Sequence, residues 1–396
     1  MDKALVTQRP QGKDRIWTRD FVMICIANFF IFLGFQMTLP TIPLFVEYLG
    51  GNDQLIGMVV GIFTFSALIV RPFAGQILET RGRKFVFLFG LSIFVLTVGV
   101  FGFMASMFML FALRVAQGIG WGFSSTASGT IASDIIPASR RGEGMGFYGL
   151  SGNLALAIGP SLGLALAGKL SFQTLFLLCG ALGLVAVALA STIHYKKGEK
   201  AAVKTTTRKL DLYEKTALQP SILLFFITVT FGGIATFLPL YSMKQGVTGI
   251  QWYFLIYAIA LLFTRLYAGK LYDTKGHKFI YIPSAICILI AMLLLAWLPN
   301  NIVLYTAAIF YGLGFGTVQP ALQAWSIEKA ERNRKGMANA TFFSFFDLGV
   351  GIGAITFGQI GYLFGYRSIY LASALSIFIS MIIYLYFLKK NERSLV

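Results

Sequence analysis

Charge is what this sequence has least of. Asp, Glu, Lys and Arg together make up 12% of its 396 residues, where a soluble protein carries about 25%. With 57% hydrophobic residues and a mean hydropathy of +0.74, the chain cannot cover a water-facing surface. Most of its surface must face lipid. Histidine and cysteine are scarce too. His194 and His277 are the only imidazoles, and no Cys/His spacing suggests a metal framework. Cys25, Cys179 and Cys287 all fall inside apolar runs, where they read as inert packing residues, silent on redox compartment. The stretch from Gly163 to Lys169 imitates a phosphate loop, but Leu170 stands where Ser or Thr is needed. An enzyme is therefore not expected, no cofactor or metal is implied, and any transport must draw on a gradient or run downhill.

What is present is a series of apolar runs. A hydrocarbon core about 30 Å thick needs about 20 apolar residues per helical span. Twelve such runs lie near 21–44, 55–78, 85–105, 107–132, 143–168, 171–193, 220–242, 249–272, 279–298, 301–326, 337–362 and 367–388; they are called spans 1 to 12. In lipid each must be a helix, because its backbone has no water to bond. None alternates with the period of a barrel strand. The fold class expected is thus an all-α polytopic membrane protein. The first run exceeds a signal core, and Pro40 and Pro43 follow it rather than a small-residue cleavage site.

The formal net charge of +17 invites a nucleic-acid reading, but the placement argues otherwise. The loops on one side hold most of the Lys and Arg, among them Arg81, Arg83, Lys84, Arg140, Arg141, Arg334 and Lys335. The loops on the other side hold only Lys169, Lys244 and Arg367. This asymmetry predicts a multi-pass cell-membrane protein with both termini in the cytoplasm. The charges are spread over short loops with no reading module, so no nucleic-acid partner is expected.

The chain also repeats itself. GQILETRGRKF at 75–85 returns as GKLYDTKGHKF at 269–279. At the same offset Arg71 meets Arg265, and Gly118, Gly120 and Gly122 meet Gly312, Gly314 and Gly316. Asp134 meets Glu328, and Arg140-Arg141-Gly142 meets Arg334-Lys335-Gly336. The chain reads as two related six-helix bundles, 21–193 and 219–388. A basic linker at 194–218 joins them, and short tails lie at 1–20 and 389–396. Parallel halves with a site between them suit a carrier that rocks about that site.

At this point the sequence resembles the major facilitator superfamily over nearly its whole length, and in particular its twelve-span drug:proton antiporter branch. The loop after span 2 resembles G-x-x-x-D-R-x-G-R-[RK], with Gly75, Gly82, Arg83 and Lys84 in place, Glu79 for the Asp and Thr80 for the first Arg. Arg114-Val-Ala-Gln117-Gly118-Ile-Gly120 resembles the branch's span 4 motif. Gly159-Pro160-Ser-Leu-Gly163 resembles its antiporter motif, with Ala155 and Leu164 at two of the glycine positions. Leu33-Gly34 followed by Pro40 and Pro43 matches L-G-x5-P-x-x-P. The resemblance implies two pseudo-symmetric bundles and export of a small, lipophilic molecule in exchange for protons by alternating access. The alternative is an importer or facilitator of a small nutrient or metabolite. Partners would be the substrate, protons and membrane lipid, and a monomer is expected.

The resemblance also assigns roles. An Arg83–Asp134 pair would latch two helices of the first half. Glu79 could reach the start of span 11, where free N–H groups favour an anion. Asp273 and Glu328 repeat the acids in the second half. The other reading of all five is solvated loop charge. Asp347 is the one acid deep in a span, about 16 Å in, and Arg71 lies at about 12 Å. A mid-membrane charge costs at least about 3 kcal/mol and is usually paired or functional. With spans 2 and 11 facing one another in the superfamily, Arg71 and Asp347 should pair, and the repeat sets Arg265 against Asn153. Asp347 is then a candidate proton carrier or a fixed ion pair. Arg114 belongs to the coupling machinery by resemblance, bonding span 1 or a water; it could instead attract an anion or be structural. Gly159, Pro160 and Gly163 read as packing and bending residues. The expected cavity lining, by analogy, includes Asn28, Gln36, Trp121, Gln319, Gln323 and Trp325.

Overall fold

The computed structural model describes residues 15–137, 140–194, 213–328, 330–331 and 334–393. Residues 1–14 of the first tail, 195–212 of the linker and 394–396 of the last tail lie outside it, as do the side chains of Glu79 and Asp273. Each apolar run is a helix: Arg19–Tyr48, Asp53–Arg81, Arg83–Val100, Met107–Ile135, Arg141–Ala167 and Phe172–Ser191 for spans 1 to 6. Leu218–Lys244 is span 7, Ile250–Ala296 holds spans 8 and 9, and Asn301–Glu328, Lys335–Phe364 and Tyr366–Arg393 are spans 10 to 12. Local chemistry sets several starts. Thr18, Asn52 and Ser171 each accept a hydrogen bond from an N–H in the first turn of the helix they cap. Among the described residues, ten helices are long and apolar enough to cross a membrane by length and composition. Span 4 falls short because Arg114, Gln117 and a run of Ser, Thr and Gly dilute it. The described apolar part of span 8, Ile250–Arg265, is shorter.

The repeat is visible in backbone and packing alike. Gly82 separates spans 2 and 3 with φ 87° and ψ 155°. Its counterpart Gly276 breaks the Ile250–Ala296 run with φ 68° and ψ 179°. Only glycine adopts that region without strain, so the same residue makes the same corner in each half. On span 4, Gly118 lies against Phe63 and Ala67 of span 2, and Gly120 against Gly90 and Phe94 of span 3. On span 10, Gly312 lies against Tyr257 and Leu261, and Gly314 against Ser284 and Ile288. These are repeat-equivalent contacts, position for position. Span 1 packs on spans 5 and 6, and span 7 on spans 11 and 12, by the same pattern.

The halves meet along span 2 against span 11, span 5 against span 8, and span 1 against span 7. The first contact is built from small residues. A Cβ on Gly57 would lie 2.4 Å from the Ala354 carbonyl oxygen, and one on Gly61 2.5 Å from the Ile355 side chain; Gly358 abuts Asp53 and Gly57. Such residues let helix backbones approach closely. These contacts lie toward the face away from the basic loops. Toward the basic face the packing loosens: Gly75, Gly129, Gly146 and Gly149 have nothing within 4 Å of where a side chain would begin. The far ends are closed on one another, while small residues nearer the basic face border open space.

Gly57→Ala forces a methyl group against a backbone oxygen that exists as a neighbour only while the far face is closed. Overpacking of this kind costs about 1–3 kcal/mol, so the far-open population should rise about tenfold for each 1.4 kcal/mol. Spin-label distances between positions 48 and 251, in a background with the three cysteines replaced by serine, should gain a longer component in the variant.

Candidate functional site at the junction of the halves

Spans 2 and 11 bring Arg71 and Asp347 together: Arg71 Nη2 lies 2.8 Å from Asp347 Oδ2. The contact lacks the alignment of a hydrogen bond, and Arg71 Nε has no acceptor. It is a close charge pair, with Asp347 Oδ2 accepting no hydrogen bond. On the pseudo-symmetric side, Arg265 of span 8 donates to Asn153 Oδ1 of span 5 through Nη1, and to Gln319 Oε1 of span 10 at 2.7 Å through Nη2. The two crossings therefore match in position and differ in charge, an ion pair on one side and a cation held by neutral amides on the other.

Arg114 is buried. Its Nε donates to the Val59 carbonyl of span 2 at 2.9 Å, its Nη1 to Gln117 Oε1 at 2.6 Å, and its guanidinium stands 4.5 Å from the Phe63 ring centre. Of the partners expected, span 1 is not the one bonded; the backbone bond of the structural reading is present, and the span 2 carbonyl lies within reach because Gly118, one turn on, lets the two backbones close up. Arg83 Nε donates to Asp134 Oδ2, joining the start of span 3 to the end of span 4. In the second half Glu328 accepts from Tyr272 Oη at 2.5 Å. His277 lies 4.0 Å above the Trp325 ring, nearly parallel to it.

The expected cavity lining divides. Trp325 is committed to His277 near the basic end of span 10, so its reading as a cavity contact is corrected. Trp121 stacks on Phe35 at 4.5 Å inside the first bundle and is buried there; it too is a packing residue. Asn28 donates to Ser151 Oγ at 2.8 Å and accepts from Tyr148 Oη at 2.9 Å, and Tyr148 meets Ser128 at 2.7 Å. Gln36 is buried with Oε1 unpartnered, against Gly159. Gln323 donates to Asn339 Oδ1 at 2.9 Å. Gly159 and Gly163 let span 5 close on span 1, a Cβ on Gly163 falling 2.4 Å from the Met37 carbonyl oxygen, and the helix runs through Pro160.

Sequence reasoning missed the closure at the far face. Tyr366 Oη donates to Asp53 Oδ1 at 2.5 Å across the halves. Lys244 Nζ donates to Tyr366 Oη at 3.1 Å and lies 3.9 Å from Glu47 of the first half. Gln54 donates to Gln359, and Ser161 to the Gln251 carbonyl. A cavity of about 360 Å³ opens beside this clasp, lined in part by Leu44, Glu47, Tyr48, Pro239 and Met243. None of these groups has a charged counterpart in the repeat, which is the signal that made the mid-membrane pairs legible.

The profile of the Major Facilitator Superfamily matches residues 24–354 and 247–395. The chain belongs to this superfamily. A staphylopine export protein of Staphylococcus aureus is 27% identical over 93% of this chain and 96% of its own length. Multidrug resistance protein 2 of Bacillus subtilis is 26% identical over 85% and 88%. A crystal structure of the nucleoside transporter NupG shares the fold, with a TM-score of 0.78 at 14% identity over 92% of this chain and 99% of that one. The protein is thus a superfamily transporter spanning the membrane many times, and not an enzyme.

One further tie of this superfamily chain lies just before span 7. Arg334 Nε donates to Glu214 Oε2, and Thr341 Oγ1 accepts from the Glu214 N–H at 2.9 Å. The bond from Arg334, with burial opposing it and Thr216 aiding it, holds the Glu214 carboxyl below the usual carboxylate range. A lowered folded-state value means the stabilisation is complete above the unfolded value of about 4.3 and is lost as the pH falls through the folded one. Glu214→Gln should therefore melt earlier than wild type at pH 7, by the equivalent of about 1–3 kcal/mol. The gap should close below about pH 4, as read by thermal unfolding in detergent across a pH series.

Proposed function

We propose that the protein exports a small, lipophilic molecule in exchange for protons by alternating access. The observation that carries this reading is the Arg71–Asp347 pair, 2.8 Å apart where spans 2 and 11 of opposite halves cross. An acid there is pulled two ways. Withdrawal from water favours its neutral form, and the neighbouring guanidinium favours its anion. A tilt of one bundle changes both at once, so the proton load of Asp347 follows the conformation. The pair's lack of hydrogen-bond alignment suits a contact that is made and released in each cycle.

The rest of the cycle follows from charge and geometry. The basic face is the cytoplasmic one by the positive-inside rule, so a molecule closed at the far face is open inward. Substrate enters between the halves from the cytoplasm or inner leaflet. After the far clasp opens, substrate leaves and Asp347 takes a proton from outside. Return to the inward state restores Arg71 beside the carboxylate and expels the proton. Arg83–Asp134 and its aromatic counterpart, His277 on Trp325, hold the inner ends of each bundle together while they tilt. The name of the Staphylococcus aureus relative, an export protein, supports the direction.

Purified protein in vesicles with an imposed pH step, assayed against a panel of lipophilic dyes, tests the proposal. Asp347→Asn should abolish gradient-driven dye transport and dye-driven proton flux, each by at least about tenfold, the scale of losing one charge interaction. Dye exchange without a gradient should persist. Uptake that survives collapse of the pH gradient in wild type would identify a facilitator instead.

A further inference from the structure

Among the described residues, the charges at mid-membrane do not balance: three arginines, the buried Arg114 and the half-buried Arg71 and Arg265, face one half-buried acid, Asp347. Arg71 has that acid. Arg114 is absorbed by a carbonyl, an amide and a ring within its own bundle. Arg265 is different. It stands at the crossing of the halves, its oxygen partners Asn153 and Gln319 are neutral, and its Nε has no acceptor although it is buried.

The surroundings of Arg265 are rich in donors and short of acceptors. Tyr257 precedes Arg265 on span 8 by eight residues, about two helical turns. Tyr253 and Tyr257 are buried, and neither hydroxyl has a hydrogen-bond partner. Tyr257 lies within electrostatic range of Arg265. Leaving such groups unmade costs about 1–3 kcal/mol each, so they are groups awaiting an acceptor. Beyond them a row of packed, mostly buried rings runs from Tyr257 to Tyr311 at 5.5 Å, to Phe315 at 5.7 Å, to Phe231 at 5.7 Å and to Phe346 at 6.4 Å. Phe346 is the neighbour of Asp347 in sequence, so this row runs from one arginine crossing toward the other.

We propose that Arg265, with the hydroxyl of Tyr257, is the head-group site for an amphiphilic organic anion, a carboxylate or similar oxyanion on an aromatic or aliphatic body. A carboxylate offers two oxygens and about four lone-pair sites, matching a guanidinium edge and one phenolic O–H donor. The bidentate pairing of carboxylate with arginine adds direction as well as energy. The apolar body lies along Phe315, Phe231 and Phe346, which brings it toward the Arg71–Asp347 pair. This rests on the reading of the chain as a carrier with its site between the halves, and it names the class of substrate.

The test measures binding to the purified protein at equilibrium, without a gradient, using 2-naphthoate, its neutral amide and 2-naphthylmethylammonium. Wild type should prefer the carboxylate to the amide by at least about tenfold and bind the cation least, as expected for a charge-assisted bond. Arg265→Gln should erase that preference while leaving amide affinity within about twofold, and Arg265→Lys should restore part of it. Should Arg265→Gln fail to fold, Tyr257→Phe, which removes only an unpartnered hydroxyl, should lower carboxylate affinity about threefold without lowering the melting temperature. No carboxylate preference in wild type, or an unchanged preference in Arg265→Gln or Tyr257→Phe, overturns the site. Proton-coupled transport of neutral dyes without carboxylate preference would remove this inference and leave the exporter standing. Carboxylate binding without proton-coupled flux would do the reverse.

Discussion

The close approach of span 2 to span 11 is the contact on which the molecule turns. Gly57, Gly61, Gly351 and Gly358 remove the side chains that would hold these helices apart, so two backbones from opposite halves touch over the outer part of their length. In a membrane, helix association gains little from excluding water and depends on close packing and polar ties. Here the packing is glycine against carbonyl, and the polar tie is Arg71 with Asp347 one turn beyond Gly351. Were the helices a side chain further apart, the two charges would stand alone in a medium that penalises each by at least about 3 kcal/mol. The same approach positions Asp53 at the end of span 2 under Tyr366 at the start of span 12.

The pseudo-symmetric crossing of span 5 and span 8 shows what duplication leaves free. Position for position it copies the first, with an arginine on the equivalent helix and a polar residue facing it. The acid has become Asn153, and Gln319 has joined it. A symmetric pair of ion pairs would close the molecule equally on both sides. With one acid, one crossing holds an ion pair, while the other holds an arginine between neutral amides. That asymmetry follows from a single difference between Asp and Asn.

The fold was legible in the sequence wherever lipid or duplication dictated it. The apolar runs could be nothing but helices, the superfamily resemblance set Arg71 against Asp347, and the repeat carried that crossing over to Arg265 and Asn153. What escaped was decided by side-chain reach and packing. Arg114 bonds span 2 because a glycine lets that helix come near, which no spacing along span 4 reveals. Trp325 looked like a cavity residue by its helix and depth, yet it faces His277 of its own bundle. The far-face clasp joins Glu47, Asp53, Lys244 and Tyr366, four helix ends without counterparts in the repeat and with ordinary loop chemistry. For the described residues, therefore, periodicity predicted the scaffold, and chance complementarity between distant helix ends supplied the closure.

That clasp has an environmental side. Lys244 and Glu47 are 3.9 Å apart and roughly half in water, the kind of pair worth about 0–1 kcal/mol and weakened by dissolved ions. The screening length shrinks from about 30 Å at 0.01 M to about 3 Å at 1 M salt. Fresh water and brine would thus hold this carrier at rest with different shares of its molecules closed at the far face. The habitat would set the resting pose, with no ligand and no change in the protein.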